Sequence, residues 1–317
     1  MNRWRQERNE EHGAIVQANY DGIDGLQIAN LANPEKSPVS AIIKTQYTPV
    51  LPYDILTEEG KLKGLRPTKL PMIVGYGFGG QVKEVGLLRD SHLVGQNVIG
   101  ANLGGSNSEI INSSIPPLLF QVPENVSLAA ATTIIGGADA ALYATQQINA
   151  TTHETVLITG AAGSVGTYLI QLLARQGVTV VAVGHSSSHG FLQSVGADYV
   201  IDYDQPLVPQ LNQVPNVTKV IDSAGSINLL NQLANFYDGL TIFSLSVTDY
   251  RPAKPIQRFS FGNGGIGPND YHQLLTALAN GTLTAYIQDQ YYFKDVKKAQ
   301  HALQDQHSQG RMLLTYH

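Results

Sequence analysis

Gly160, Gly163 and Gly166 follow one another at three-residue intervals in the stretch Thr155 to Gly184, which reads TVLITGAAGSVGTYLIQLLARQGVTVVAVG. That spacing suits one task, holding a pyrophosphate on backbone amides. Gly160 permits a tight turn, Gly163 lets the main chain approach the anion at a helix N-terminus, and Gly166 allows that helix to pack closely on a strand. Ala162, Ser164 and Val165 lie in the same turn and complete the candidate set around it. Glycine spacing alone is a weak signal, so the flanking elements must supply the geometry. Thr155 to Thr159 is a run of β-branched and apolar residues, as in a strand buried on both faces. Tyr168, Leu169, Leu172 and Leu173 then share one helix face that ends at Gly177, and Val178 to Val183 makes the next strand. Strand, glycine turn, helix and strand together form a dinucleotide-binding βαβ unit.

The second strand also bears on which dinucleotide binds. A carboxylate at its end would hold the ribose 2′-hydroxyl of NAD, but the chain continues Val183, Gly184, His185, Ser186, Ser187, Ser188, His189 without one. Hydroxyl and imidazole donors there would accept a 2′-phosphate, so NADPH is expected over NADH. Taken singly, two histidines in a serine loop read equally well as solvated surface.

Several other chemistries are excluded. The chain has no cysteine, which removes disulfides, thiolate metal ligands and a cysteine nucleophile. Apart from His185 and His189 its histidines show no His-x-x-x-His spacing, and no metal is expected. Tyr250 and Lys254 stand four residues apart, as a catalytic Tyr/Lys pair on a helix would, but Pro252 breaks such a helix and the string reads as a loop. With 43% hydrophobic and 14% charged residues over 317 positions, the chain can bury a large core and is long enough for two domains. A net charge of −5 gives no basic footprint for nucleic acid. No long apolar run suggests a membrane span and the charged start Met1 to His12 is unlike a signal, so a cytoplasmic protein is expected.

The polar Met1 to Gly13 reads as a loose extension. Short strands follow at Ala14 to Val16, Leu26 to Ile28 and Val39 to Thr45, and prolines 49 and 52 stop the strand before a short helix. Pro71 to Gly86 is a strand passing through a glycine-rich bend, a barrel corner sooner than a ligand site. Strands continue over Val94 to Asn102, Glu109 to Asn112 and from Leu118. Ser127 caps a long Ala-rich helix through Leu142 and Tyr143 that leads into the βαβ unit. Beyond it, Phe191 to Val195 is helical, and strands at Tyr199 to Tyr203, Lys219 to Asp222 and Leu240 to Ser246 imply a parallel sheet with helices on both faces. Helices at Tyr271 to Asn280 and Asp295 to Gln304, an extended Tyr291 to Phe293 and a strand at Arg311 to Thr315 complete the pattern.

The motifs VLITGAAGSVG (156 to 166), SVGADYVIDY (194 to 203), PENVSLAAA (123 to 131) and GRMLL (310 to 314), in this order, resemble the medium-chain dehydrogenase/reductase superfamily. Within it the chain looks most like the zinc-free quinone oxidoreductase (zeta-crystallin-like) branch, over nearly its whole length from Ala14. The resemblance implies an α/β chain in which a Rossmann doubly wound parallel sheet, residues 124–266, is inserted in a β-rich, barrel-like (GroES-like) catalytic domain of residues 1–123 plus 267–317. It also implies an interdomain cleft in which NADPH passes a hydride, without a metal, to a small electrophilic substrate, a quinone or an α,β-unsaturated carbonyl compound. Tyr47, Thr48 and Tyr53, on the segment lining that cleft, are the candidates to hydrogen-bond the developing oxyanion. Asp54 is assigned to holding its loop through backbone amides.

Three positions depart from the family pattern. Leu51 stands where the family has an Asn, Gly77 where it has an acidic residue, and Ser188 where it has a Lys for the 2′-phosphate. The phosphate is then left to His185, Ser186, Ser187, His189 and Tyr203, with Gly184, Ser244 and Leu245 completing the cofactor contacts. The basic string Lys61, Lys63, Arg66 and Lys69 reads as a solvated loop. A homodimer through an edge strand near Leu240 to Ser246 is also implied. The alternatives are a non-catalytic NADPH-binding redox sensor or structural protein, and an enoyl-thioester reductase.

Overall fold

Residues 11–64, 66–116 and 119–316 are described by the structure, a computed structural model. Of the extension expected over Met1 to Gly13, the first ten residues lie outside that range and the last three belong to strand β1 (Glu11–Gln17). β1 pairs antiparallel with β2 (Gln27–Ala32), and β3 (Ser40–Pro49) opens a larger sheet. β3 ends at Pro49, as expected. This proline lies opposite Leu313, where the loss of one N–H is tolerated. Pro52 then starts helix α1 (Pro52–Glu58) in the first turn, where a missing N–H costs nothing.

Next come β4 (Met72–Ile73), β5 (Gly77–Val85), β6 (Asn97–Ala101), β7 (Ile110–Ser114) and β8 (Phe120–Gln121). The strand expected from Leu118 is thus only two residues long, and Leu118 itself lies outside the described residues. The glycines of β5 serve packing. A Cβ on Gly77 would stand 2.6 Å from Ile135, and one on Gly79 2.0 Å from Thr132. That contact seats helix α2 (Leu128–Thr132), which the Ser127 hydroxyl caps by accepting from the Ala130 N–H.

The long Ala-rich helix expected from Ser127 through Tyr143 is broken. α2 ends at Thr132, and the chain leaves helical geometry at Ile135 (ψ 118°) and Gly136 (φ 67°) before α3 (Asp139–Ile148) begins. Gly136 permits the left-handed step, which turns its carbonyl toward Arg311.

The second half alternates as read. β9 (Thr155–Thr159) is buried at every position, and α4 (Ser164–Arg175) packs Tyr168, Leu169 and Leu173 into the core. β10 (Thr179–Gly184), α5 (His189–Val195), β11 (Tyr199–Asp202), α6 (Leu207–Leu211), β12 (Lys219–Asp222), α7 (Ile227–Phe236), β13 (Thr241–Ser244) and β14 (Arg258–Phe261) follow. They build a six-stranded sheet in the order β11-β10-β9-β12-β13-β14, every pair parallel. The order reverses between β9 and β12, where the carboxyl ends of the strands leave a crevice.

β13 is therefore not an edge strand, and the expected edge near Leu240 to Ser246 belongs to β14 instead. After α8 (Pro268–Ala279), β15 (Ile287–Tyr292), α9 (Val296–Asp305) and β16 (Arg311–Thr315), the chain returns to the first sheet, ordered β15-β16-β3-β5-β6-β8 with β7 on β3. The result is an α/β molecule with a parallel, Rossmann-like sheet and a separate β-rich one. Among the described residues no helix is long and apolar enough to cross a membrane.

Candidate functional site

A cavity of about 520 Å³ opens at the crevice between β9 and β12. Gly160, Ala162, Gly163, Ser164 and Val165 line it. Gly160 takes the left-handed φ of 63° that lets the chain turn from β9 into α4. A Cβ on Gly163 would touch nothing nearer than the Gly160 carbonyl at 3.4 Å, so its open side is the cavity itself. Gly166 does a different job, since a Cβ there would lie 2.4 Å from the Ala161 carbonyl and glycine alone lets α4 close on the turn. No side chain caps the N-terminus of α4, and the buried Ser164 hydroxyl has no partner. Exposed donors at the positive end of a 12-residue helix, beside a glycine with room for a ligand, fit a pyrophosphate.

Gly184, His185 and Tyr203 line the same cavity; Ser186, Ser187, His189, Ser244 and Leu245 do not. Ser244 is spent internally. Its hydroxyl donates to Asp222 at 2.7 Å and accepts from the N–H groups of Ser246 and Val247. Leu245 packs against the core and its N–H bonds the Asp222 carbonyl. His189 turns its Nδ1 to the Asp202 carboxylate at 2.9 Å. Ser187 bonds His185 through both N–H and hydroxyl, and Ser186 donates both of its own to Asp204 at 2.8 Å. The loop after β10 thus lacks a carboxylate in sequence but not in space. The parallel register sets Asp202 beside Gly184 and so brings the end of β11 to the loop.

The oxyanion candidates also separate. Thr48 is fully buried, with its hydroxyl on that of Tyr316 at 3.1 Å, because the β3–β16 register turns it into the core. None of Thr48, Tyr47 and Tyr53 lines either cavity described here, and the burial and internal bond of Thr48 remove it from the candidate set. Tyr47 is half-buried against the core. Tyr53 meets Tyr76 edge-on at 5.9 Å, with the Arg66 guanidinium 5.4 Å from both rings.

Arg311, only 3% exposed, forms part of the cavity wall beside Gly136. It donates to the carbonyls of Val50 and Gly136, which joins β16, the start of α1 and the break before α3. Burial presses its guanidinium down to about 10, against the opposing influence of Asp139, Tyr168 and Asp54.

Below lies a second cavity of about 460 Å³, onto which Asp54, Glu58 and Arg66 face. Asp54 makes no bond to a backbone amide, contrary to the role assigned to it, and its nearest counter-charge is Arg66 at 3.5 Å. Burial lifts its carboxyl to about 7, with Arg66 and Arg311 opposing. Burial and then the Asp54 charge lift Glu58 to about 8. Arg66 therefore belongs to the interior, not to the solvated loop read for it. Within that string, Lys61 pairs with Glu59 and Lys63 lies over the Tyr20 ring.

Sequence reasoning passed over Ser223, Ala224 and Arg311, and Gln306, His307, Ser308 and Gly310, all of which border the first cavity. Ser223 and Ala224 follow directly from the strand read at Lys219 to Asp222, because ligands gather at strand carboxyl ends. His307 carries no local signal at all. Tyr250 and Lys254 are structural: the tyrosine bonds Asn231, and the lysine caps the end of α7 on the carbonyls of Asn235 and Tyr237. Among the described residues no three His, Asp or Glu side chains converge as a metal site would require.

The zinc-binding dehydrogenase family pattern matches residues 195–314. The chain is 27% identical over 202 residues to a quinone-oxidoreductase homolog of the chloroplast from Spinacia oleracea, covering 61% of each protein. It is 30% identical over 230 residues to a chloroplastic NADPH-dependent alkenal/one oxidoreductase of Arabidopsis thaliana, covering 68% of this chain and 58% of that one. With the first curated relatives, from Spinacia oleracea, Triphysaria versicolor and Arabidopsis thaliana, the match spans 61%, 63% and 59% of their lengths. The solved structure of the quinone oxidoreductase from Coxiella burnetii superposes with a TM-score of 0.84 at 24% identity, covering 97% of this chain and 100% of that one.

Proposed function

As the chain belongs to the medium-chain dehydrogenase/reductase superfamily, on its quinone oxidoreductase-like branch, we propose that it is an NADPH-dependent oxidoreductase reducing a quinone or an α,β-unsaturated carbonyl compound without a metal. The observation that carries this reading is the convergence of the Gly160 to Val165 turn, the bare N-terminus of α4 and the Arg311 wall on one cavity. The turn and the α4 amides would hold the pyrophosphate, with the loop after β10, Tyr203 and the 306–310 segment around the adenosine ribose. The nicotinamide, when bound, supplies the hydride. Arg311 fixes the Val50 and Gly136 carbonyls in place and so keeps this wall of the cavity rigid. Tyr53, and Tyr47 on β3, are the groups proposed to steady the oxygen that gains charge as the acceptor is reduced. In the same reading, residues 1–123 with 267–317 form the catalytic part and 124–266 the cofactor part.

The test is the near-ultraviolet absorbance of reduced nicotinamide, followed with purified protein and a panel of quinones and enones, with NADH run in parallel. Oxidation of NADPH by an acceptor, slower with NADH, supports the reading. Tight binding of NADPH with no oxidation by any acceptor overturns it in favour of a non-catalytic binder, and absence of binding removes the cofactor site itself.

A further inference from the structure

Beside the His185 and Tyr203 wall of the cavity a carboxylate holds donors that a phosphate would need. Asp204, two residues beyond β11, accepts from the N–H and the hydroxyl of Ser186, both at 2.8 Å. These bonds hold its carboxyl down to about 2. His185 lies alongside, with Nε2 3.7 Å from the same carboxylate. Because the Ser187 N–H donates to His185 Nδ1 at 3.2 Å, the ring proton of the neutral imidazole sits on Nε2, the nitrogen nearer Asp204.

On the other face of that ring, His307 stacks at 3.6 Å with an interplanar angle of 11°. The Tyr203 hydroxyl is 3.3 Å from His307 Nδ1. The other carboxylate nearby, Asp202, is already engaged by His189. His185, Tyr203 and His307 border the cavity, and Asp204, exposed and just outside its lining, is the anion that the adjoining hydroxyl and imidazole donors face.

We propose that Asp204 sets the choice of cofactor: its carboxylate holds the Ser186 donors, with His185 Nε2 3.7 Å away, and must be displaced before a ribose 2′-phosphate can take them, with His307 as the second imidazole facing that phosphate. This rests on the NADPH reading above and deepens it. An unphosphorylated ribose meets no such competition, because its hydroxyl can donate to Asp204. The preference for NADPH is therefore a restrained one, set by the balance between two imidazoles and one carboxylate. Neither residue could be chosen from the sequence, since they reach the loop from the ends of other elements.

The test is calorimetric titration of 2′,5′-ADP and 5′-ADP, which differ at the 2′-phosphate and carry no nicotinamide, into the wild type, Asp204→Asn and His307→Gln. Asp204→Asn is isosteric and keeps an oxygen for Ser186, so it changes charge with little change of shape. Removing one like charge next to the phosphate should tighten 2′,5′-ADP by about tenfold or more, and leave 5′-ADP within about twofold. His307→Gln should weaken 2′,5′-ADP by about fivefold, again with little effect on 5′-ADP. Equal effects on both nucleotides, or no effect of Asp204→Asn on their ratio, overturn this inference while the cofactor site stands. Failure of the wild type to bind either nucleotide overturns the cofactor reading and this inference together.

Discussion

Glu58→Gln should make the protein less sensitive to rising pH. Glu58 is fully buried, bonded only through Oε1 to the Gln300 amide at 2.9 Å, with Oε2 unpartnered. Burial, and then the Asp54 charge, lift its carboxyl from 4.5 to about 8. The folded protein thus holds this proton more tightly than the unfolded chain does. The stability it contributes is complete below the unfolded carboxyl range and is lost as pH rises through about 8. Linkage over that interval gives a loss of about 3 kcal/mol between about pH 5.5 and about pH 8 from Glu58 alone. Asp54, lifted to about 7, adds to the fall over the lower part of the same window. An amide at position 58 keeps an oxygen for Gln300 and never ionises, so only the Asp54 share should remain. Thermal melts by circular dichroism at the two pH values should show the wild type losing about 6 °C or more beyond the loss in the variant. Identical pH slopes would refute the reasoning, because Glu58 would then be ionised in the folded protein.

Four further substitutions test the same packing. Gly166→Ala, whose Cβ would stand 2.4 Å from backbone, should cost about 2 kcal/mol or more in denaturant melts. Gly163→Ala, with room at 3.4 Å, should melt like the wild type yet bind NADPH more weakly by calorimetry; unchanged binding would sink the pyrophosphate cradle. Arg311→Met leaves the Val50 and Gly136 carbonyls unpartnered and removes the positive charge near Asp139 and Asp54, so a loss of about 3 kcal/mol is expected in the same melts. Gly136→Ala must hold φ at 67° and place a methyl 2.8 Å from Leu51, and should cost about 1–2 kcal/mol. Adding Leu51→Ala should not restore the part due to the backbone.

What the sequence disclosed was local chemistry with a regular period. The Gly160 to Gly166 turn, the strands on either side of it and the Ser127 cap depend on neighbours within a few residues, and each was legible. The break at Gly136 was not, because Ile134 and Ile135 read as helix and the partner that uses the freed carbonyl, Arg311, is far along the chain. Thr48 failed for a similar reason, since the register with β16 decides which way its hydroxyl turns. The edge strand was misplaced because β14, with Arg258 and Ser260 alternating with its two phenylalanines, lacks the buried apolar run of its neighbours. Asp204 lies outside the loop it controls; only the parallel pairing of β10 with β11 brings it there.

β16 has a consequence for how the molecule is made. Its residues Leu313 to Thr315 fill the place between β15 and β3 and pair with residues 47–49, and the Gly310 N–H reaches across to the Ala162 carbonyl at 2.8 Å. During synthesis the parallel sheet has all its strands once residue 261 has emerged. The sheet of β3 must wait with residues 47–49 unpaired on one side until β16 arrives, although β7 already covers residues 40–44 of that flank. The cofactor half can therefore mature early, while the half that would receive the substrate closes late, through contacts of long sequence separation that form slowly. In a growing chain residues 47–49 of β3 are an open edge, and closing it also clamps the glycine turn.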